Sequence, residues 1–456
     1  MNIKKTSSPL VIGLISTALC FSLGFFNNVF AYNGFQFFYA YIAFSIILCY
    51  PMNLVATYLQ KSYPNINTHS KLTKQLTGSS KLKTLSILFT GAIVLILSMI
   101  ILNISTYALD FVDNIPSVDR LSNASLIFSS NMPIYIALSF VFIIMLALLV
   151  LANKDKVCLN KILDALAHYL LYLIVILSLM VLYTPHGISG IKDFVFSLNY
   201  QSQAQVRNMF AIAMVYAILS NFISLALHKS IVGIVKDDLN KIELSALKSI
   251  IYNIIFSTII CLGIFSVLGE YRTYLQPGQN IEISTIFQII KNNSPMSYAI
   301  LEVIFITFNL VIFIIALKYI CDISSKLYAN TILLLVSFAI TLSFIINGII
   351  SIDFSTLFRL HLLIIYLFLL EVFLVGWVYD AQKISYEILK NMGVKLSPIF
   401  NITLRIITPF VCILVTIGYI LPTISIIWQI LAAIVCIIVD IVKGTIFNNI
   451  FNKRKF

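Results

Sequence analysis

Charge is what this sequence has least of. Asp, Glu, Lys and Arg make up 11% of its 456 residues, while 60% are apolar. A soluble domain carries about 25% charged and about 45–50% apolar residues. Cores of ordinary size cannot hide that much apolar surface, so a chain of soluble domains is excluded. The cysteines are as uninformative as they are few. All seven (Cys20, Cys49, Cys158, Cys261, Cys321, Cys412 and Cys436) lie in or beside apolar runs and none forms a CxxC pair, which leaves no disulfide framework and no thiolate metal site. The five histidines are scattered, and GxSxG, HExxH and Walker-type loops are missing. An enzyme is therefore not expected. The basic excess of +12 is spread over short connectors and never gathered on one face, so it is read as membrane topology and not as a nucleic-acid footprint.

What the sequence does have is long apolar runs. A bilayer core takes about 20 apolar residues per helix. Such runs begin near Pro9, Gln36, Thr84, Met132, Leu163, Asn208, Leu244, Met296, Ala329, Leu357, Pro398 and Pro422, which makes twelve. The connectors alternate in charge. One set carries Lys4 and Lys5, then Lys61 to Lys83, Lys154 to Lys161, Lys229 to Lys241, Lys326, Lys383 to Lys395 and the tail Lys453, Arg454 and Lys455. The other set holds isolated cations such as Arg120, Lys192, Arg272 and Lys291. The bias assigns both termini to the cytoplasm of a multi-pass plasma-membrane protein, a bacterial inner membrane being the expected one. Lys4, Lys5 and Val29-Phe30-Ala31 imitate a signal peptide, but the apolar stretch between them is long, and it is expected to stay as span one. Among the outer segments, Ile281–Lys291 has helical spacing and is expected to lie across the outer mouth.

Polar groups inside a bilayer are costly, and each invites a functional reading. Glu371 sits near mid-depth of span ten. Arg359, His361, Glu302, Arg405 and the Asp440–Lys443 pair lie near span ends, where snorkelling or packing accounts for them. Amides and hydroxyls cluster as Ser22, Gly24, Asn27 and Asn28 in span one, Ser220, Asn221 and Ser224 in span six, Asn253 in span seven, and Thr307 and Asn309 in span eight. Singly, each reads as an interhelical hydrogen bond; together, oxygen ligands from several helices suit a small hard cation.

The order of motifs resembles the neurotransmitter:sodium symporter family, with its leucine-transporter fold. Gly376-Trp377-Val378-Tyr379-Asp380, then Tyr386-Glu387-Ile388-Leu389-Lys390-Asn391-Met392-Gly393, then Thr408-Pro409-Phe410-Val411-Cys412 look like the family's span ten, intracellular helix and span eleven. Asn33-Gly34 with Tyr41-Ile42-Ala43-Phe44 and Pro51 is similar to its second-span region; Lys161-Ile162-Leu163 with Pro185-His186-Gly187, and Ile264 to Gly269, resemble later stretches. Glu371 falls on the family's span-ten glutamate, Asn253 on its sodium-liganding asparagine of span seven and Thr307 on its sodium-liganding threonine of span eight. Departures are equally specific. Ser22-Leu23-Gly24-Phe25-Phe26-Asn27-Asn28 stands where the family breaks span one with an arginine and a proline, so the polar break is missing from the sequence. Span six has no glycine, and Phe308 replaces a serine.

The resemblance implies an all-α protein of about 12 membrane helices. A 5+5 inverted repeat (about 9–183 and 207–385) would be followed by two extra helices (about 398–446), all in one integral membrane domain. It implies a sodium-coupled symporter of a small amino acid or amine-like solute. Ser22, Gly24, Asn27 and Asn221 would lie near the solute and Asn253 and Thr307 near sodium, with Glu371 holding the span-one break or carrying a proton. The expected partners are the solute and the bilayer, with no nucleic acid, no cofactor and no metal beyond sodium; nothing in the sequence fixes the oligomeric state. A proton-coupled transporter of the same fold, and a degenerate member acting as a sensor or interaction protein, stay open.

Overall fold

The computed structural model describes residues 9–22, 24–32, 34–62, 98, 101, 132–154, 156–180, 187–196, 203–221, 242–268, 289–292, 295–323, 327–346, 365 and 368–420. Among them every regular element is helical. In chain order these are α1 (Pro9–Ser22), α2 (Phe25–Ala31), α3 (Phe35–Phe44), α4 (Tyr50–Ser62), α5 (Met132–Lys154), α6 (Lys156–Met180), α7 (Gly187–Phe196), α8 (Gln203–Asn221), α9 (Ile242–Leu268), α10 (Pro295–Ile323), α11 (Leu327–Ile346), α12 (Phe368–Val378), α13 (Ala381–Met392), α14 (Pro398–Ile402) and α15 (Thr408–Ile420). A π-helical turn, Ser45–Cys49, joins α3 to α4; a second, Leu374–Val378, ends α12; a third, Thr403–Ile407, joins α14 to α15.

Five helices among the described residues are long and apolar enough to cross a membrane, or six if the bent pair α1 and α2 counts as one span. The runs expected near Thr84 and Pro422 lie outside the described residues, apart from Ser98 and Ile101, as do Ser224, Arg359, His361 and the Asp440–Lys443 pair. Of the helix expected over Ile281–Lys291, residues 289–291 are described and are helical.

The helices sort by what surrounds them. From Val11 to Ser22 every residue of α1 is buried, and nearly all of α8 from Met209 to Asn221 is too, so these two carry no lipid-facing stripe. The outer helices expose apolar side chains at helical spacing: Tyr169, Tyr172, Ile176 and Leu179 on α6, and Ile399, Ile402, Ile406, Phe410, Ile413 and Ile417 along α14 and α15. In water such faces would need a partner; against lipid tails they need none. Around α1 pack α6, α8, α9 and α10. Its approach to α9 is close, because a Cβ on Gly13 would lie 2.6 Å from Tyr252 Cβ and 3.0 Å from the Asn253 nitrogen. Small residues permit this kind of backbone contact in membranes, and here the contact brings Thr17 against Asn253.

One element has no counterpart in the sequence reading. The segment between α6 and α8 contains α7, ten residues long and too short to span. Its Gly187, Gly190 and Phe194 turn inward at helical spacing and rest on α9.

Candidate functional site

Span one is broken after all. Gly24 takes φ +81° and ψ +26°, and the axes of α1 and α2 differ by 65° there. No proline is required: a left-handed residue ends one helix and starts the next, and glycine adopts that conformation without a Cβ clash. The expectation that the break was missing rested on the absent arginine and proline, and the single glycine replaces both. The Gly24 nitrogen still reaches the Phe21 carbonyl at 3.1 Å. Asn28 Nδ2 donates to the Gly24 carbonyl (3.1 Å) and to the Tyr216 hydroxyl on α8 (3.0 Å), which ties the break to span six. Ser22 Oγ turns back to the Ala18 carbonyl at 2.7 Å. Asn27 Oδ1 is buried and accepts no hydrogen bond from the described residues. Rings line the break. Phe25 packs on Tyr41 and Tyr216 with centroids 4.9 and 5.4 Å apart, and Phe21 packs on Phe308 at 5.6 Å.

Beside the break lies a buried polar node centred on Asn253, which is fully enclosed. Its Nδ2 donates to the Tyr41 hydroxyl at 2.8 Å and to Asn221 Oδ1 at 2.9 Å. Its Oδ1 accepts from Thr17 at 3.0 Å and from Ser257 at 3.2 Å. Asn221 Nδ2 in turn donates to Ser45 (3.1 Å) and Ser220 (3.0 Å), and Ser220 meets the Tyr41 hydroxyl at 2.9 Å. Four parts of the chain therefore meet through neutral groups: α1, the α3 end with its π turn, α8 and α9. No charged residue takes part in these bonds. The Phe25–Tyr41 ring contact makes this node the neighbour of the Gly24 break.

The expected site residues fall into separate places. Ser22, Gly24 and Asn27 are together at the break. Asn221 bonds directly to Asn253 and so belongs to the node. Thr307 is buried, but its hydroxyl donates to the Val303 carbonyl of its own helix at 2.7 Å, and no hydrogen bond joins it to Asn253. Glu371 is 1% exposed on α12, three residues before the π turn. Thr17, Ser45 and Ser257 complete the node without having been singled out in the sequence. Ser257 follows Asn253 by four residues and shares its helix face, the one spacing that points to it.

A second polar cluster joins α4 to α13. The Tyr58 hydroxyl donates to Glu387 Oε2 at 3.0 Å, the Tyr379 hydroxyl reaches the same oxygen at 3.0 Å, and Asn391 Nδ2 donates to Tyr58 at 3.3 Å. Asp380 caps α13 by accepting from the Gln382 nitrogen at 2.8 Å, at a φ of +81°. It pairs with the Arg405 guanidinium, whose Nε also donates to the Gly376 carbonyl at 3.2 Å. Trp377 Nε1 answers with a bond to the Arg405 carbonyl at 3.1 Å.

No family model matches the chain, and no curated protein does. Among solved structures, a crystal structure of MhsT in complex with L-phenylalanine matches with a TM-score of 0.66 and 15% identity, covering 90% of this chain and 98% of that one. At that identity the likeness speaks for the fold alone: this is an all-α membrane protein built on the leucine-transporter arrangement.

Proposed function

We propose that this chain is a secondary transporter that carries a small amino acid or amine-like solute by alternating access, with sodium as the driving ion. The observation that carries the reading is the Gly24 break. A break removes carbonyls from the helical ladder inside the bilayer, where such backbone is tolerated only against protein or a solute-bearing cavity. Asn27 Oδ1, buried with no donor, adds an acceptor suited to an ammonium group. In this reading Ser22, Gly24, Asn27 and Asn221 serve the solute, Asn253 and Thr307 serve sodium, and Glu371 supports the break. The neutral oxygens around Asn253 are the ligand type a hard cation takes. That the similar MhsT was crystallised with L-phenylalanine agrees with an amino-acid-like cargo. The 5+5 repeat with two extra helices, and cytoplasmic termini, belong to the same proposal.

One observation favours a second reading, proton coupling through Glu371. Both ends of the Asn253 amide are already held by protein groups, so an ion there must first turn the Thr17 and Ser257 hydroxyls away. Purified protein in liposomes separates the readings, with sodium and pH gradients imposed one at a time against a panel of amino acids and amines. Sodium-driven accumulation that weakens strongly in Asn253→Ala supports the proposal. Accumulation driven only by pH transfers the coupling to Glu371. No accumulation of any solute under either gradient overturns transport.

A further inference from the structure

We infer that Glu387 is a conformational latch, bridging α4 to α13 through the Tyr58 and Tyr379 hydroxyls so that the molecule stays closed at the face the lysine bias assigns to the cytoplasm. The inference rests on the alternating-access reading, in which the two ends of the molecule open in turn.

Among the described residues the carboxylate is the only anion hydrogen-bonded in this link. Tyr58, at the far end of span two, is 1% exposed and donates to Oε2; Tyr379, at the end of α12, donates to the same oxygen and lies 3.2 Å from Oε1. Asn391, one turn further along α13, donates to the Tyr58 oxygen, so that hydroxyl is held from both sides. Lys383 approaches Glu387 at 3.9 Å from within α13 and lies over the Tyr379 ring at 4.7 Å. The two partners of Glu387 differ in kind. Tyr379 is two residues from α13 in the chain and moves with it, whereas Tyr58 is 329 residues away on span two. Of these two partners Tyr58 is the one on a separate part of the chain, and its bonds to Glu387 and Asn391 are the ones that opening must break.

The α13 side is built to stay still. Its start is pinned by the Asp380 cap and by the Arg405 pair, which fastens the α12 end to the stretch before α15. Glu387 therefore stands on a fixed arm, and α4 is the part that leaves. With 22% of its side chain exposed, the carboxylate can be rehydrated as the bond breaks, which keeps the latch reversible.

The test reads accessibility without any solute. Thr57, beside Tyr58 on α4, is buried and bonds only along its own helix, to the Asn53 carbonyl. A Thr57→Cys variant, with Cys158 and Cys436 replaced by serine and the five buried cysteines kept, is purified in detergent and labelled with a charged maleimide. Adding Tyr58→Phe or Glu387→Gln is expected to raise the labelling rate about tenfold, the equivalent of one hydrogen bond to a charged group. The double change is expected to raise it no further than the faster single one. Unchanged labelling in folded Tyr58→Phe protein overturns the latch, and Tyr58→Phe decides alone if Glu387→Gln does not fold. Effects that multiply in the double change also overturn it, because the groups then act separately. Either result leaves the uptake experiment, and with it the transport reading, standing on its own.

Discussion

Replacing Asn253 by alanine removes the central donor and acceptor from the node that joins α1, α3, α8 and α9. Four hydrogen bonds of 2.8 to 3.2 Å disappear together: those to Tyr41 and Asn221, and those from Thr17 and Ser257. Three of the four run between helices and the Ser257 bond lies within α9; at the average of about 0.6 kcal/mol and maximum of about 1.7 kcal/mol for side-chain hydrogen bonds in membranes, the four are worth about 2–3 kcal/mol. Two of the partners have a fallback. Tyr41 keeps Ser220, and Thr17 keeps the Gly13 carbonyl at 2.9 Å, whereas Asn221 Oδ1 loses its donor. The expected loss is therefore near the lower end, about 2 kcal/mol, read by SDS-titrated unfolding in mixed micelles. Asn253→Asp sharpens the test. It keeps the acceptor for Thr17 and Ser257, loses both donations, and sets a carboxylate oxygen against Asn221 Oδ1, so it should destabilise more than alanine at neutral pH. Alanine within about 0.5 kcal/mol of the parent would refute the node as a source of stability. An aspartate variant as stable as the parent would show that the two donations do not matter.

Three further substitutions test the geometry. Gly24→Ala has room for its methyl, 3.7 Å from the Tyr216 hydroxyl, so only the left-handed backbone resists it and the loss is about 1–2 kcal/mol. Gly13→Ala forces a carbon to 2.6 Å from Tyr252 Cβ and should cost more, about 3 kcal/mol; the same unfolding titration ranks the pair, and the reverse order contradicts the packing described. Arg405→Lys keeps a charge for Asp380 but loses the fork that also reaches the Gly376 carbonyl, for about 1–2 kcal/mol. Hydrogen exchange in α13 should accelerate while α1 and α9 stay unchanged, and equal exchange throughout would remove the pinning role.

Much of the architecture was legible because the bilayer leaves few choices. A run of about 20 apolar residues has little option but a helix, and the outer helices lie where the runs are. The break was misread because proline and arginine are the conspicuous signals, while this break needs only one left-handed residue, Gly24, and loops use such glycines too. Asn253, Asn221 and Ser220 stood out as amides and a hydroxyl in apolar surroundings. Thr17, Ser45 and Ser257 did not, since a hydroxyl in a membrane helix ordinarily bonds its own i−4 carbonyl, as Thr307 and Ser22 do. Which hydroxyl turns to a neighbouring helix depends on the close approach at Gly13, a fact of tertiary register. The helix α7 was invisible because ten residues with two glycines give no period long enough to read.

The three π-helical turns among the described residues, at Ser45–Cys49, Leu374–Val378 and Thr403–Ile407, bear on how this chain can change length. A π turn closes its ladder with one residue more than an α turn. Removing a residue inside one returns the helix to α geometry and leaves everything beyond it facing as before. Removing a residue elsewhere swings the rest of the helix by about 100°. Between Phe35 and Ser62, only the stretch 45–49 can lose a residue while Tyr58 still points at Glu387. Related chains with one residue fewer in span two, ten or eleven are thus expected to differ at these turns, and a gap drawn anywhere else would pair the wrong faces of the same helix.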